Sequence, residues 1–173
     1  MGRCFVSPAR LQLKIPSKAI EHTIRVLREY QAIEDGHEGF VYWCGVRAPG
    51  IATVCLVIAP KLASEFAGVH VSAASNARVI EMMSRNAMVE LAQVHSHPKD
   101  WVDHSSGDDR LAPFKVEGLL SIVVPNFGID GMTPLRTCGF HLFERGGFRR
   151  CSNYWIRRHV AIRTGDAGLC DLR

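Results

Sequence analysis

Residues 93–98 have the sequence QVHSHP, which is typical of a short β-strand that ends at a proline. Side chains two residues apart lie on the same face of a strand, so His95 and His97 present two imidazoles side by side. One metal ion can use two imidazoles placed in this way. Because Pro98 ends the strand, any third ligand has to come from another segment of the chain.

A second pattern follows this strand. Ser105 comes eight residues after His97, and Asp108 comes three residues after Ser105. In the first turn of a helix this spacing of three brings the two side chains together. It is also the spacing of a capping box, so the residues alone leave open whether the pair serves chemistry or only caps a helix.

The rest of the chain predicts strands in pairs with a few helices between them. Alternating apolar residues and turn signals indicate strands at residues 11–15, 38–46, 51–58, 69–71, 91–95, 119–124, 138–144 and 148–152. Helical spacing indicates a helix with Ser17 as its N-cap that ends near Asp35, a second from residues 75–76 toward Leu91, and a last one at residues 154–162. This pattern predicts an α/β (α+β) fold built around one sheet.

Length and composition predict one globular domain. The chain has 173 residues, of which 47% are hydrophobic and 22% are charged, so it can form one apolar core. We expect a domain at residues 1–163 and a C-terminal tail at residues 164–173. The best apolar run, residues 51–60, is too short to span a membrane, and the N-terminus has no secretory signal. We therefore expect a soluble, cytoplasmic protein without a membrane partner.

Positive charge is concentrated toward the C-terminus. The net charge is +4, and residues 136–173 contain eight arginines against three acidic residues. Such a segment suits an acidic partner, nucleic acid or simply a solvated surface. Nucleic acid is not the expected partner, because no groove-reading helix signature accompanies the arginines. The six cysteines lack close paired spacing, which favours reduced thiols over disulfides or a four-cysteine zinc site.

The complete pattern in residues 95–108 resembles a known signature. His-x-His-Pro, seven residues between the second His and a Ser, and then x-x-Asp is similar to the signature of the JAMM (JAB1/MPN/Mov34, MPN+) zinc metalloproteases. The compact chain is similar to the stand-alone prokaryotic members of that family, without the insertions of the eukaryotic deubiquitinating members. This resemblance implies a single MPN/JAB-type domain with a mixed sheet flanked by helices, a layered architecture like that of cytidine deaminases.

The family also has a glutamate at the head of a core strand. Residues 38–45, EGFVYWCG, resemble that segment, with Glu38 first, an apolar strand next and Gly45 seven places on. The sequence departs from the family at Val41, where a glycine is usual. Glu34 and Asp35 are alternative candidates for the acidic residue.

The resemblance implies a catalytic zinc site. His95, His97 and Asp108 would hold Zn²⁺ and leave a fourth position for water, as catalytic rather than structural zinc sites do. Glu38 would take a proton from this water and deliver it to the leaving amine. Ser105 would donate a hydrogen bond to the oxyanion of the tetrahedral intermediate.

Other residues near the pattern are less easily assigned. Trp101 lies in the loop between His97 and Ser105, where its side chain either contacts the substrate or anchors the loop. His104 adjoins Ser105, but the ligand set is complete without it, and a catalytic site needs an open position. The remaining histidines are expected to be structural: His22, His37, His70, His141 and His159.

The activity implied by the resemblance is zinc-dependent cleavage after the C-terminal tail of ubiquitin or a ubiquitin-like protein. The bond would join that tail to a lysine side chain or to a precursor extension, as in bacterial ubiquitin-like conjugation or anti-phage operons. One alternative is a peptidase of the same fold that acts on a sulfur-carrier protein. Another is a metal-free MPN scaffold subunit, against which the intact ligand pattern argues.

Overall fold

In the part of the chain that the structure describes, most strands form one large sheet, and four α-helices accompany it. The computed structural model describes residues 12–32, 36–63 and 69–173. The strands are β1 (Gln12–Pro16), β2 (Phe40–Ala48), β3 (Ile51–Pro60), β4 (Leu62–Ala63), β5 (His70–Val71), β6 (Val89–Ser96), β7 (Leu120–Val124), β8 (Gly139–Glu144), β9 (Gly147–Arg150), β10 (Val160–Arg163) and β11 (Gly168–Leu172). The helices are α1 (Ser17–Gln31), α2 (Ala73–Arg85), α3 (Ser106–Leu111) and α4 (Asn153–His159).

Nine of the described strands form one mixed sheet, and β4 and β5 form a separate pair. The order across the sheet is β10-β1-β3-β2-β6-β7-β8-β9, and β11 pairs with β3 beyond the end of β1. Strand β2 is antiparallel to β3 and β6, whereas β6 is parallel to β7. Helices flank this sheet, which confirms the predicted α/β (α+β) class.

Alternation along β2 builds an apolar core on each face of the sheet. Val41 and Trp43 are fully buried in the core that contains α1. Phe40 and Tyr42 belong to the other core, together with side chains of α2. Directly opposite residues of paired strands share a face. Because His95 lies opposite Phe40, His95 is on this second face, here called the α2 face.

The ends of two helices differ from the predictions. Helix α1 begins at Ser17, but its N-cap is Pro16, and it ends at Gln31 rather than near residue 35. Helix α2 stops well before Leu91, because the chain turns at Ala87, where φ is +51°. Turns of this kind depend on single residues, and the periodicity of apolar residues does not reveal them.

The C-terminal segment is more ordered than the sequence suggests. The predicted helix at residues 154–162 ends at His159, and Val160–Arg163 forms β10 alongside β1. Within the predicted tail, Gly168–Leu172 forms β11 alongside β3. Both strands pair with segments from far earlier in the chain, so local sequence patterns carry little information about them.

The sequence predicts reduced cysteines and no membrane-spanning helix, and the described residues bear on both predictions. Cys44, Cys55, Cys138, Cys151 and Cys170 are free thiols within the described ranges, and Cys4 lies outside them. In the same part of the chain, no helix has both the length and the apolar character needed to cross a bilayer.

Strand β6 also carries a partly buried acidic side chain on the α2 face. Glu90 lies opposite Cys44, and its Oε1 has no hydrogen-bond partner in the described structure. Burial raises the pKa of Glu90 to about 8 from 4.5, although the nearby Arg47 opposes this shift. The folded protein therefore keeps Glu90 protonated at pH values where an unfolded chain has released the proton.

We expect the stability of the protein to fall between about pH 4.5 and pH 8 because of Glu90. Over this range the unfolded state binds fewer protons, so the free energy of unfolding should decrease by about 5 kcal/mol and then level off. Glu90→Gln, which cannot ionise, should flatten this dependence in urea unfolding measured from pH 5 to pH 8. The exposed Glu117 supplies the control, since Glu117→Gln should keep the wild-type slope.

Candidate metal centre

The end of strand β6 and the residue directly after it bring His95 and His97 together on the α2 face. Both side chains are buried, and their Nε2 atoms are 3.2 Å apart. The Nδ1 atom of His97 lies 2.9 Å from the backbone oxygen of Trp101, to which a protonated Nδ1 donates. This hydrogen bond fixes the ring and leaves the Nε2 lone pair of His97 directed at His95.

The third side chain comes from the first turn of α3. Asp108 Oδ1 lies 3.5 Å from Nε2 of His95, and Asp108 Oδ2 lies 3.4 Å from Nε2 of His97. Ser105 is the N-cap of α3: its backbone N–H donates to Asp108 Oδ2 at 2.6 Å, and its Oγ accepts from the Asp108 N–H at 3.1 Å. The capping box is therefore present, and it also holds the carboxylate toward the two histidines.

This group of three side chains fits a divalent metal ion. The ligand atoms of His95, His97 and Asp108 all lie within 4.8 Å of one another. Tetrahedral zinc with bonds of 2.0–2.1 Å places neighbouring ligand atoms about 3.3 Å apart, close to the separations described above. Two imidazole lone pairs and a carboxylate that face one another also need a positive charge between them.

The pKa values of the three side chains also favour the binding of a metal cation. Burial lowers the pKa of His95 to about 3, so its imidazole is neutral near pH 7. Burial by itself would raise the pKa of Asp108, but His97, His95 and Ser105 bring it well below its usual range. Burial by itself would lower the pKa of His97, but Asp108 and the Trp101 carbonyl raise it above its usual value. A metal ion binds the neutral imidazole, so it would compete with a proton for Nε2 of His97.

Two hydrogen bonds place Glu38 beside this group. The Gly39 N–H donates to Ser96 Oγ at 2.9 Å, and the Ser96 N–H donates to the Gly39 oxygen at 3.0 Å. The two segments run antiparallel here, as β2 and β6 do. Glu38, which precedes Gly39, therefore lies beside His97, which follows Ser96.

The surroundings of Glu38 change its acidity. Burial raises the pKa of the Glu38 carboxyl above its usual value, and Asp108 raises it further, while His97 acts in the opposite direction. A raised pKa suits a carboxyl that takes up a proton and returns it near neutral pH. The alternative candidates Glu34 and Asp35 lie outside the described residues.

Trp101 covers one side of the group. Its ring stacks on that of His97, with centroids 5.1 Å apart and planes 15° apart, yet Trp101 is 48% exposed. The next residue, Val102, packs against Gly139, where a Cβ would overlap the Val102 carbonyl oxygen. Arg150 donates to the same oxygen at 3.0 Å. Trp101 thus belongs to an anchored loop, and its contact with a substrate stays a prediction.

Two further histidines, His104 and His141, lie near the group but are not among its three ligand residues. The ring centroid of His104 lies 5.8 Å from that of His95 and 4.1 Å from that of His141. Nδ1 of His104 lies 2.8 Å from Asp109 Oδ1, and its Nε2 lies 2.9 Å from Ser121 Oγ. The sequence predicts only a structural role for His141, because no spacing pattern links β8 to the start of α3.

The chain is similar to a curated protein and to a solved structure. No family model matches the chain. A protein of Sinorhizobium fredii (strain NBRC 101917 / NGR234), named "Probable metalloprotease y4jG", is 27% identical over 133 residues, which cover 75% of this chain and 82% of that protein. The solution structure of protein DSY2949 from Desulfitobacterium hafniense has a TM-score of 0.64 and 18% identity, over 89% of this chain and 94% of that one. The latter likeness shows a shared fold.

Proposed function

We propose that this protein is a zinc-dependent metalloprotease that cleaves after the C-terminal tail of a ubiquitin-like protein. The observation that carries the proposal is the convergence of His95, His97 and Asp108, with the Glu38 carboxyl beside them. The relative named a probable metalloprotease supports a peptidase. The resemblance of residues 95–108 to the JAMM signature supports the ubiquitin-like substrate and an isopeptidase reaction.

Each side chain has a separate part in this reaction. A bound zinc ion would polarise the scissile carbonyl and activate water. Glu38, with its raised pKa, would accept a proton from the attacking water and return it to the leaving amine. Ser105 Oγ already accepts from the Asp108 N–H, so its own O–H remains available to donate to a developing oxyanion.

Ser105→Ala should slow turnover by about 100-fold, because it removes the proposed oxyanion donor. The same change removes the side-chain cap of α3, which should cost about 1 kcal/mol of stability. Metal content should stay at the wild-type level. The measurements are kcat on a cleavable substrate, metal content and the urea midpoint.

The matched control is another serine cap. Ser152 is the N-cap of α4, and its side chain accepts from the Trp155 N–H at 3.2 Å. Ser152→Ala should lower stability by a similar amount and leave turnover unchanged. Equal turnover in Ser105→Ala and Ser152→Ala would show that Ser105 only caps its helix.

The proposed function is tested with the purified full chain. Candidate ubiquitin-like proteins carrying a C-terminal extension, or joined to a lysine side chain, are incubated with the zinc-loaded protein and examined by intact mass. We expect loss of the extension or of the lysine-linked partner, inhibition by a chelator and recovery after zinc is returned. Sulfur-carrier proteins with the same extension form a second arm. Cleavage of those alone would replace the proposed substrate, and cleavage of none would contradict the function.

A further inference from the structure

A groove opens on the α2 face beside the metal group. His95 and Asp108 lie at one end of it, and Phe40, Leu111 and Pro113 are among its apolar wall residues. Its volume is about 260 Å³, including space open to solvent. The groove opens to solvent, and its enclosed part has room for about one water-sized polar group.

The floor of this groove contains a buried amide with an unused acceptor. Gln93 lines the groove and is only 2% exposed, and its Oε1 has no hydrogen-bond partner among the residues that the structure describes. Buried polar atoms are almost always hydrogen-bonded, so an unpartnered one indicates a missing water, ion or ligand. Gln93 lies on β6 two residues before His95, which places both side chains on the same face.

Ser121, the residue next to Gln93 on the groove floor, is fixed by a hydrogen bond with His104. Ser121 on β7 pairs in register with Gln93 and also lines the groove. Its Oγ lies 2.9 Å from Nε2 of His104, whose Nδ1 lies 2.8 Å from Asp109. This chain of hydrogen bonds fixes Ser121, so the acceptor of Gln93 is the polar group on the floor that still needs a partner.

We propose that this amide groove, made of Phe40, Gln93, Leu111, Pro113 and Ser121, is a substrate subsite that binds a peptide group next to the scissile bond. The inference rests on the proposed function, because the metal group at the end of the groove would act on the adjoining amide. A peptide group offers an N–H and a C=O, which complement the acceptor and donors of the Gln93 side chain. The apolar walls suit a small aliphatic side chain beside that peptide group.

The first test is an NMR titration of the metal-free full chain, which needs no catalysis. The probe is N-acetylalanine N-methylamide, and the side-chain amide signal of Gln93 is assigned by its loss in Gln93→Met or, if that variant does not fold, in Gln93→Asn. We expect a saturable shift of this signal. Gln31, on α1 at the opposite face, supplies an internal control signal that should stay unchanged.

The matched probe is the methyl ester of O-acetyllactic acid, which has a similar shape and no N–H donor. It should bind at least about fivefold more weakly, because no N–H remains to donate to Gln93. A Gln93 signal that does not respond to the methylamide, or that responds equally to the ester, would overturn the proposal. This comparison uses only the wild-type protein.

The second test uses the zinc-loaded protein and a substrate that it cleaves. Gln93→Met should raise KM by about tenfold and leave metal content unchanged, because it removes binding contacts rather than a metal ligand. If the wild-type protein cleaves nothing, the proposed function fails, and the titration still decides the role of the groove. If cleavage occurs with an unchanged KM in Gln93→Met and the titration shows no shift, only the groove proposal fails.

Discussion

Replacing His97 by alanine should remove most of the metal that the protein binds. Nε2 of His97 lies 3.2 Å from Nε2 of His95 and 3.4 Å from Asp108 Oδ2, so the change deletes one of three converging ligand atoms. Even the hydrogen-bond partners of metal ligands contribute about 10- to 100-fold to affinity, so we expect a loss greater than about 100-fold. Metal content after dialysis, measured by mass spectrometry of the metal, checks this.

A histidine outside the group provides the control. His22 lies on α1, on the other face of the sheet, and is partly exposed. His22→Ala should bind metal as the wild-type protein does. The fold of His97→Ala is checked by circular dichroism, since Trp101 loses its stacking partner. Full metal stoichiometry in a folded His97→Ala protein would contradict the ligand role of His97.

The parts of the site that were predictable from the sequence are those set by local geometry. His95 and His97 share a face because a strand repeats every two residues, and Ser105 and Asp108 meet because they span one helical turn. Local geometry does not determine how close these two segments lie to each other. No local rule brings Asp108 to His95, and only the resemblance to a known signature predicted that they meet.

Features that depend on distant pairing were not predicted. The positions of β10 and β11 follow from pairing with β1 and β3, which short sequence windows do not reveal. The burial of His141 against His104 likewise needs β8 to lie near the start of α3. Gln93 is an intermediate case, because its spacing from His95 already placed it on the same face, but its unpartnered amide is visible only in the structure.

Glu38→Gln should leave metal binding intact and reduce kcat by about 10²- to 10⁴-fold. Glu38 is not one of the three converging ligands, but its charge interacts with both His97 and Asp108. The amide keeps the size of the side chain and cannot carry the proton, and general acid–base groups typically contribute this range of rate. Since burial disfavours the ionised carboxyl, the neutral glutamine should not lower stability.

The experiment compares metal content, kcat and urea midpoint in Glu38→Gln and in Glu117→Gln, which changes an exposed glutamate. The control should match the wild-type protein in all three measurements. Loss of metal from Glu38→Gln would make Glu38 a ligand or a support of one, and unchanged kcat would assign proton transfer to another group. Intact metal with lost turnover separates proton transfer from metal binding, because Glu38 lies in the segment before β2, whereas the ligands lie on β6, directly after it and in α3.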